Sequence, residues 1–197
     1  MTKSNYHHGD LADALINATV SLLQTKSVAA LSLREVARVA GVSHSAPAHH
    51  FKDKAGLLTA VAVEGHKLLT KTLTDKTLPH DQDAVEKYRA AGEAYIRFAI
   101  AQPAHFEIMF RPELINTDDP AYQLHGKKAR DILAACVKDV LNVEALESDS
   151  VEAMLISSWS KVHGFAILWL AGNFGDPDNM TSLERLLEDL LYTPERG

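Results

Sequence analysis

Apolar side chains recur along the chain at three- and four-residue spacing and almost nowhere alternate, which is the pattern of amphipathic helices rather than strands. Leu11, Leu15, Ala18 and Leu22 form the first stripe. With Asp10 where an acid favours the helix dipole, the stripe predicts a helix over 9–25, ending near Lys26 and Ser27. Ser32-Leu33-Arg34-Glu35 has capping-box spacing, so a short second helix begins at Leu33, carries Val36, Ala37 and Ala40 on its apolar face and stops at Gly41. A third helix runs to about His50. Proline is tolerated only in a first turn, so Pro47 places its start close to Ser43 or Ser45. A longer fourth helix follows from Asp53, and the polar stretch 78–83 reads as a hinge, with the boundary near Lys76. Further helices are expected over 84–101, 104–110, 120–142, 150–172 and 182–192, punctuated by Pro103, Pro112, Pro120 and Pro177. Asp118 or Asp119 caps the helix opening at Pro120, and Thr181-Ser182-Leu183-Glu184 reads as a second capping box. The expected fold is all-α with about nine helices. Residues 1–55 form a three-helix N-terminal unit, 56–76 a connecting helix and 77–197 a helical bundle.

Composition adds limits. No apolar run approaches the roughly 20 residues of a membrane-spanning helix, and MTKSNYHHGD lacks the apolar core of a secretory signal. The expectation is a cytoplasmic protein without a membrane partner. Cys136, the single cysteine, lies in the apolar stretch Ile132 to Leu141 and reads as a small buried side chain. The formal net charge of -6 is unevenly spread: residues 1–55 hold six Lys and Arg against four acids, so +2 there leaves -8 for the rest. Five of the ten histidines also lie in that first stretch, where the proximity of a phosphate would favour their protonated forms. The asymmetry points to a nucleic-acid face at the N-terminus.

Two short helices joined at Ala40-Gly41-Val42-Ser43, spanning about 32–51, have the form of a helix-turn-helix, whose second helix enters the major groove while the first braces it. An ordinary helical hairpin in a bundle has the same outline. Residue choice favours the first reading. His44, Ser45, His49 and His50 are short or planar hydrogen-bonding side chains on a helix with little to bury, and Lys52 and Lys54 bring positive charge to the start of the fourth helix. Phe51 is the expected core anchor.

The string LSLREVARVAGVSHSAPAHHFKDKAGLLTAV, residues 31–61, resembles the TetR family signature. Tyr6-His7-His8-Gly9-Asp10-Leu11 and Trp159-Ser160-Lys161-Val162-His163-Gly164 resemble one branch of that family, with a Trp-His-Gly motif in its ligand domain. Phe106 to Leu114 adds to the likeness. The resemblance implies a homodimeric, ligand-responsive repressor binding a double-stranded operator through its helix-turn-helix. It implies that Ser43 caps the recognition helix, that His44, Ser45 and His49 face bases, and that Arg34, His50 and Lys54 hold phosphates. The sequence departs from the family at Ala48, where tyrosine is usual, and at Ala12, where this branch often has arginine. Both departures remove an expected backbone contact. A helical protein-interaction module without DNA affinity is therefore the alternative function.

No metal, cofactor or catalytic site is expected. Adjacent residues such as His49 and His50 point about 100° apart on a helix and do not converge on one ion, and the sequence has no Gly-rich phosphate loop or nucleophile elbow. Tyr95, Phe98, Phe106, Met109, Phe110, Trp159 and His163 are the candidate pocket for a small-molecule effector, although aromatic residues at helical spacing are core by default. His163 likewise fits either a hydrogen-bonded core histidine or a ligand contact. A reader of two half-sites needs a dimer, and its expected seat is the last two helices, through Ala153, Ile156, Ile167 and Leu170 and through Leu183, Leu186, Leu187 and Leu190. The same stripes could equally close the core of one protomer.

Overall fold

The computed structural model describes residues 8–78, 83–143 and 149–191, and these form nine α-helices and no strand. They are α1 (His8–Leu23), α2 (Leu33–Val39), α3 (Ala46–Phe51), α4 (Lys54–Thr77), α5 (Ala84–Ala101), α6 (Pro103–Met109), α7 (Pro120–Leu141), α8 (Asp149–Leu170) and α9 (Met180–Leu191), with single 3₁₀ turns at Val28–Ala30 and Pro112–Leu114. The expected hinge falls largely on 79–82, outside the described residues, as do the side chain of Asp10 and the expected last residue of the final helix.

Capping chemistry explains most helix ends. Ser32 accepts from the Glu35 amide at 3.3 Å, which is half of the expected capping box; Glu35 turns instead to Lys26, 2.5 Å away. Asp119 caps α7 through the amides of Ala121 and Tyr122 at 2.9 and 3.0 Å. Asp53 accepts from Gly56 N at the start of α4. Asp83 and Glu86 form a complete capping box on α5 that the sequence reading had not singled out. The box expected at Thr181 is not formed. Asn179 caps α9 two residues earlier by accepting from Ser182 N at 3.1 Å, and Glu184 reaches Arg97 instead. The eighth helix stops at Leu170 rather than 172 because Gly172 takes a left-handed φ of +74° and Asn173 N returns to Leu168 O.

The chain divides into two compact units. The first holds the chain as far as His66 together with Ala104–Leu124; the second holds Lys67–Pro103 and the chain from His125. Segment 104–124, expected with the C-terminal bundle, therefore packs with the N-terminal helices. The first unit's core includes Leu15, Val36, Leu57, Leu58, Val61, Phe106 and Ile108. Gly65 allows α4 to approach α6, because a Cβ there would lie 2.5 Å from Met109 Sδ. Thr59 pins the segment after α6 by accepting from Asn116 N at 2.8 Å. In the second unit α5 packs on α8 and α9. Its core includes Leu73, Tyr95, Ile96, Val137, Leu155, Trp169, Leu183 and Leu187.

Candidate nucleic-acid interface and cavity

The turn between α2 and α3 follows from its backbone. Gly41 sits at φ +69°, Gly41 N returns to Arg38 O and Val42 N to Ala37 O, so both bonds of a Schellman motif are made. A Cβ at Gly41 would meet nothing within 4 Å, so the glycine is needed for its conformation and not for space. Of the two expected starts for α3 the later one is used. Ser45 occupies the N-cap position and makes no side-chain cap bond. Ser43 does not cap the helix, and its hydroxyl lies 3.2 Å from that of Ser45. Starting at Ala46 places Pro47 second, where its missing N–H costs no helical bond.

This start divides α3 cleanly. Ala46 and Pro47 are buried, while His44, Ser45, Ala48 and His49 are exposed, so the outward face carries two imidazoles, a hydroxyl and a methyl. His50 is half-buried, with its ring 6.0 Å from that of Phe51, which is itself half-buried. Arg34, Arg38 and Lys52 are exposed nearby in the sequence. Lys54 behaves differently from the expectation of a side chain held toward phosphate. Its ammonium donates to the carbonyls of Val28 at 2.5 Å and Leu31 at 2.8 Å, tying the start of α4 to the segment before α2.

The link from α3 to α4 is unusually tight. Lys52 has φ 69° and ψ -56°, and Asp53 N donates to Phe51 O across it at 2.8 Å, a γ-turn of the rarer positive-φ kind. Gly56 completes the closure: a Cβ there would lie 2.0 Å from the Phe51 carbonyl oxygen. Neither feature was drawn from the sequence, although Asp53-Lys54-Ala55-Gly56 placed a glycine in a first helical turn where alanine is ordinarily better.

The candidate pocket residues are divided between the two units. Phe106, Met109 and Phe110 belong to the first unit, and Tyr95, Phe98, Trp159 and His163 to the second. Tyr95, Phe98, Phe106 and Met109 are buried core. Trp159 Nε1 donates to Tyr95 Oη at 2.9 Å, and that hydroxyl lies 2.8 Å from His163 Nδ1. Burial lowers the pKa of His163 and raises that of Tyr95, so both stay neutral.

The second unit does contain a cavity, of about 80 Å³. It lies among Tyr88, Arg89 and Gly92 of α5, Leu133, Cys136 and Val137 of α7, Leu155, Ser158, Trp159 and Lys161 of α8, and Leu191 of α9. Trp159 alone came from the sequence-derived set. Gly92 was the available signal, since glycine inside a helix implies a packing reason. A Cβ there would lie 3.0 Å from Leu191 Cδ2.

Known proteins share this fold. Residues 15–61 match the family model of bacterial regulatory proteins of the tetR family, and residues 88–190 match that of the tetracyclin repressor-like C-terminal domain. The sequence matches no curated protein. Among solved structures, a protein of unknown function from Rhodococcus sp. RHA1 is 26% identical with a TM-score of 0.75, over 96% of this chain and 97% of that one. A bacterial regulatory protein in the tetR family from Rhodococcus RHA1 is 18% identical with a TM-score of 0.69, over 92% and 95%. The TetR family transcriptional regulator PfmR from Thermus thermophilus is 18% identical with a TM-score of 0.65, over 92% and 99%.

Proposed function

Since the chain belongs to the tetR family of bacterial regulatory proteins and is a DNA-binding transcriptional regulator, we propose that it is a ligand-responsive repressor acting as a two-fold dimer. The observation that carries the DNA-reading part is the division of α3, which turns the apolar Ala46 and Pro47 inward and leaves His44, Ser45 and His49 facing out. These three read base edges, and Arg34, His50 and Lys52 meet the phosphate backbone. Lys54 contributes chiefly by holding the helix-turn-helix together through Val28 and Leu31. Ala48 offers a methyl group in the centre of the face, suited to apolar contact with a thymine.

The outer face of α8 supports a dimer. Ala153, Ile156, Ser160 and Ile167 recur there at three- and four-residue spacing or its sum, all exposed, with Ile156 at 54% and Ile167 at 47%. The cavity of the second unit is the effector site, and an effector that favours one dimer geometry changes the spacing of the two recognition helices.

Genomic-fragment selection with the purified protein, followed by affinity for the enriched fragment across a salt series, tests this reading. A two-fold symmetric site whose affinity falls steeply with salt is expected. His44→Ala should change which base is preferred, whereas Lys52→Ala should weaken all fragments alike. Absence of any enriched site at low salt would overturn the assignment of α3 as the reading helix.

A further inference from the structure

The polar atoms of the cavity restrict what it can hold. Ser158 Oγ donates to the Met154 carbonyl at 2.6 Å, so the hydrogen between Tyr88 Oη and Ser158 Oγ, also 2.6 Å apart, comes from Tyr88. The Trp159 indole N–H is taken by Tyr95. Burial pushes the Cys136 thiol up to about 11, leaving it protonated and a weak donor. The neutral side chains therefore keep no strong donor for an occupant. What remains is cationic. Arg89 and Lys161 are exposed at the lining, and no carboxylate lines the cavity. Neither joins an ion pair among the described residues, but Arg89 also borders a neighbouring groove lined by Glu86, Glu93 and Glu188, whose carboxylates compete for it, so Lys161 is the cation that discriminates.

Size narrows the class further. At about 80 Å³ the space falls well short of the roughly 150 Å³ that accommodates the six carbons of benzene, so it suits a chain of three or four carbons. Deepening the reading of this cavity as the effector site, we infer that it takes the unbranched alkyl chain of a small monoanion whose head group meets Lys161 at the mouth.

Calorimetric titration of the whole protein with butanoate, butanol, butylamine and benzoate tests the inference. Butanoate should bind about fivefold more tightly than butanol, the most that an ion pair open to water supplies, with butylamine and benzoate weaker still. Lys161→Gln, an exposed position that the fold tolerates, should bring butanoate down to butanol and leave butanol unchanged. Equal affinity for the three four-carbon compounds, benzoate binding as well as butanoate, a preference that survives Lys161→Gln, or no binding at all overturns the inference. Selective butanoate binding that leaves affinity for the enriched DNA fragment unchanged upholds the cavity's chemistry and removes the ligand-responsive reading. A different effector that shifts DNA affinity while butanoate is refused does the reverse.

Discussion

Lys54 shows how one side chain's role changes once its partners are known. An ammonium donating to two carbonyls of the segment that precedes α2 is a structural tie, and charge-assisted hydrogen bonds of this kind are each worth about 1.5–3 kcal/mol. Lys54→Met should therefore lower stability by about 3 kcal/mol in urea denaturation, before any DNA is added. An unchanged midpoint would return the ammonium to the solvent side. His105 carries a second prediction. It is buried on α6 with no hydrogen-bond partner for Nδ1, and burial lowers its pKa, with Glu64 opposing more weakly. Its folded pKa lies below its unfolded value, so its contribution is complete above the ordinary 6.5 and is lost as pH falls from there toward the lowered value. Between pH 7.5 and 5.5 the native protein should lose more thermal stability than His105→Phe does; parallel profiles would show that His105 does not set the acid response.

Among the elements, glycines decide how closely backbones approach. At Gly56 an added Cβ meets the Phe51 carbonyl at 2.0 Å, and a backbone oxygen held by the γ-turn at Lys52 cannot move aside. At Gly65 the obstruction is the flexible Met109 side chain, at 2.5 Å. Gly56→Ala should thus cost about 3 kcal/mol or more, and Gly65→Ala about 1–2 kcal/mol as Met109 changes rotamer. Chemical denaturation of the two variants checks the order, and a larger loss at Gly65 would mean that α4 and α6 are less able to adjust than the α3–α4 turn. The same reasoning locates α9. Asn179 caps it and Glu184, freed from the expected box, joins Arg97 on α5.

For the molecule as a whole, burial separates the apolar residues that build the protomer core from those left outside it, which the proposed dimer would use. Leu183 and Leu187, expected as dimer contacts, are closed into the protomer core at 0% and 4% exposure, whereas Ile156 and Ile167 remain outside. Ile167→Asp should leave a folded protomer that sediments as a monomer and loses most of its DNA affinity, since two linked half-sites bind far more tightly than one. Leu187→Asp should fail to fold. A dimeric Ile167→Asp protein would place the interface on another face.

Fold class, the number of helices, the stop at Gly41, a cap at Asp118 or Asp119 and the match to the family were all legible in the sequence, because each rests on interactions within a few residues or on a contiguous motif. Three- and four-residue spacing is dictated by helix geometry alone. Tertiary structure decided what depends on competition between distant partners. Glu35 chose Lys26 over its own cap, Glu184 chose Arg97, and Lys54 turned toward Val28 and Leu31. It also decided which aromatic residues fill the core and which wall a cavity, since periodicity marks a face as apolar but not what covers it. The segment 104–124 joined the N-terminal unit for the same reason: Thr59 and Gly65 on α4 supply a hydrogen bond and an open space for it, and neither carries a sign of that role in its local sequence.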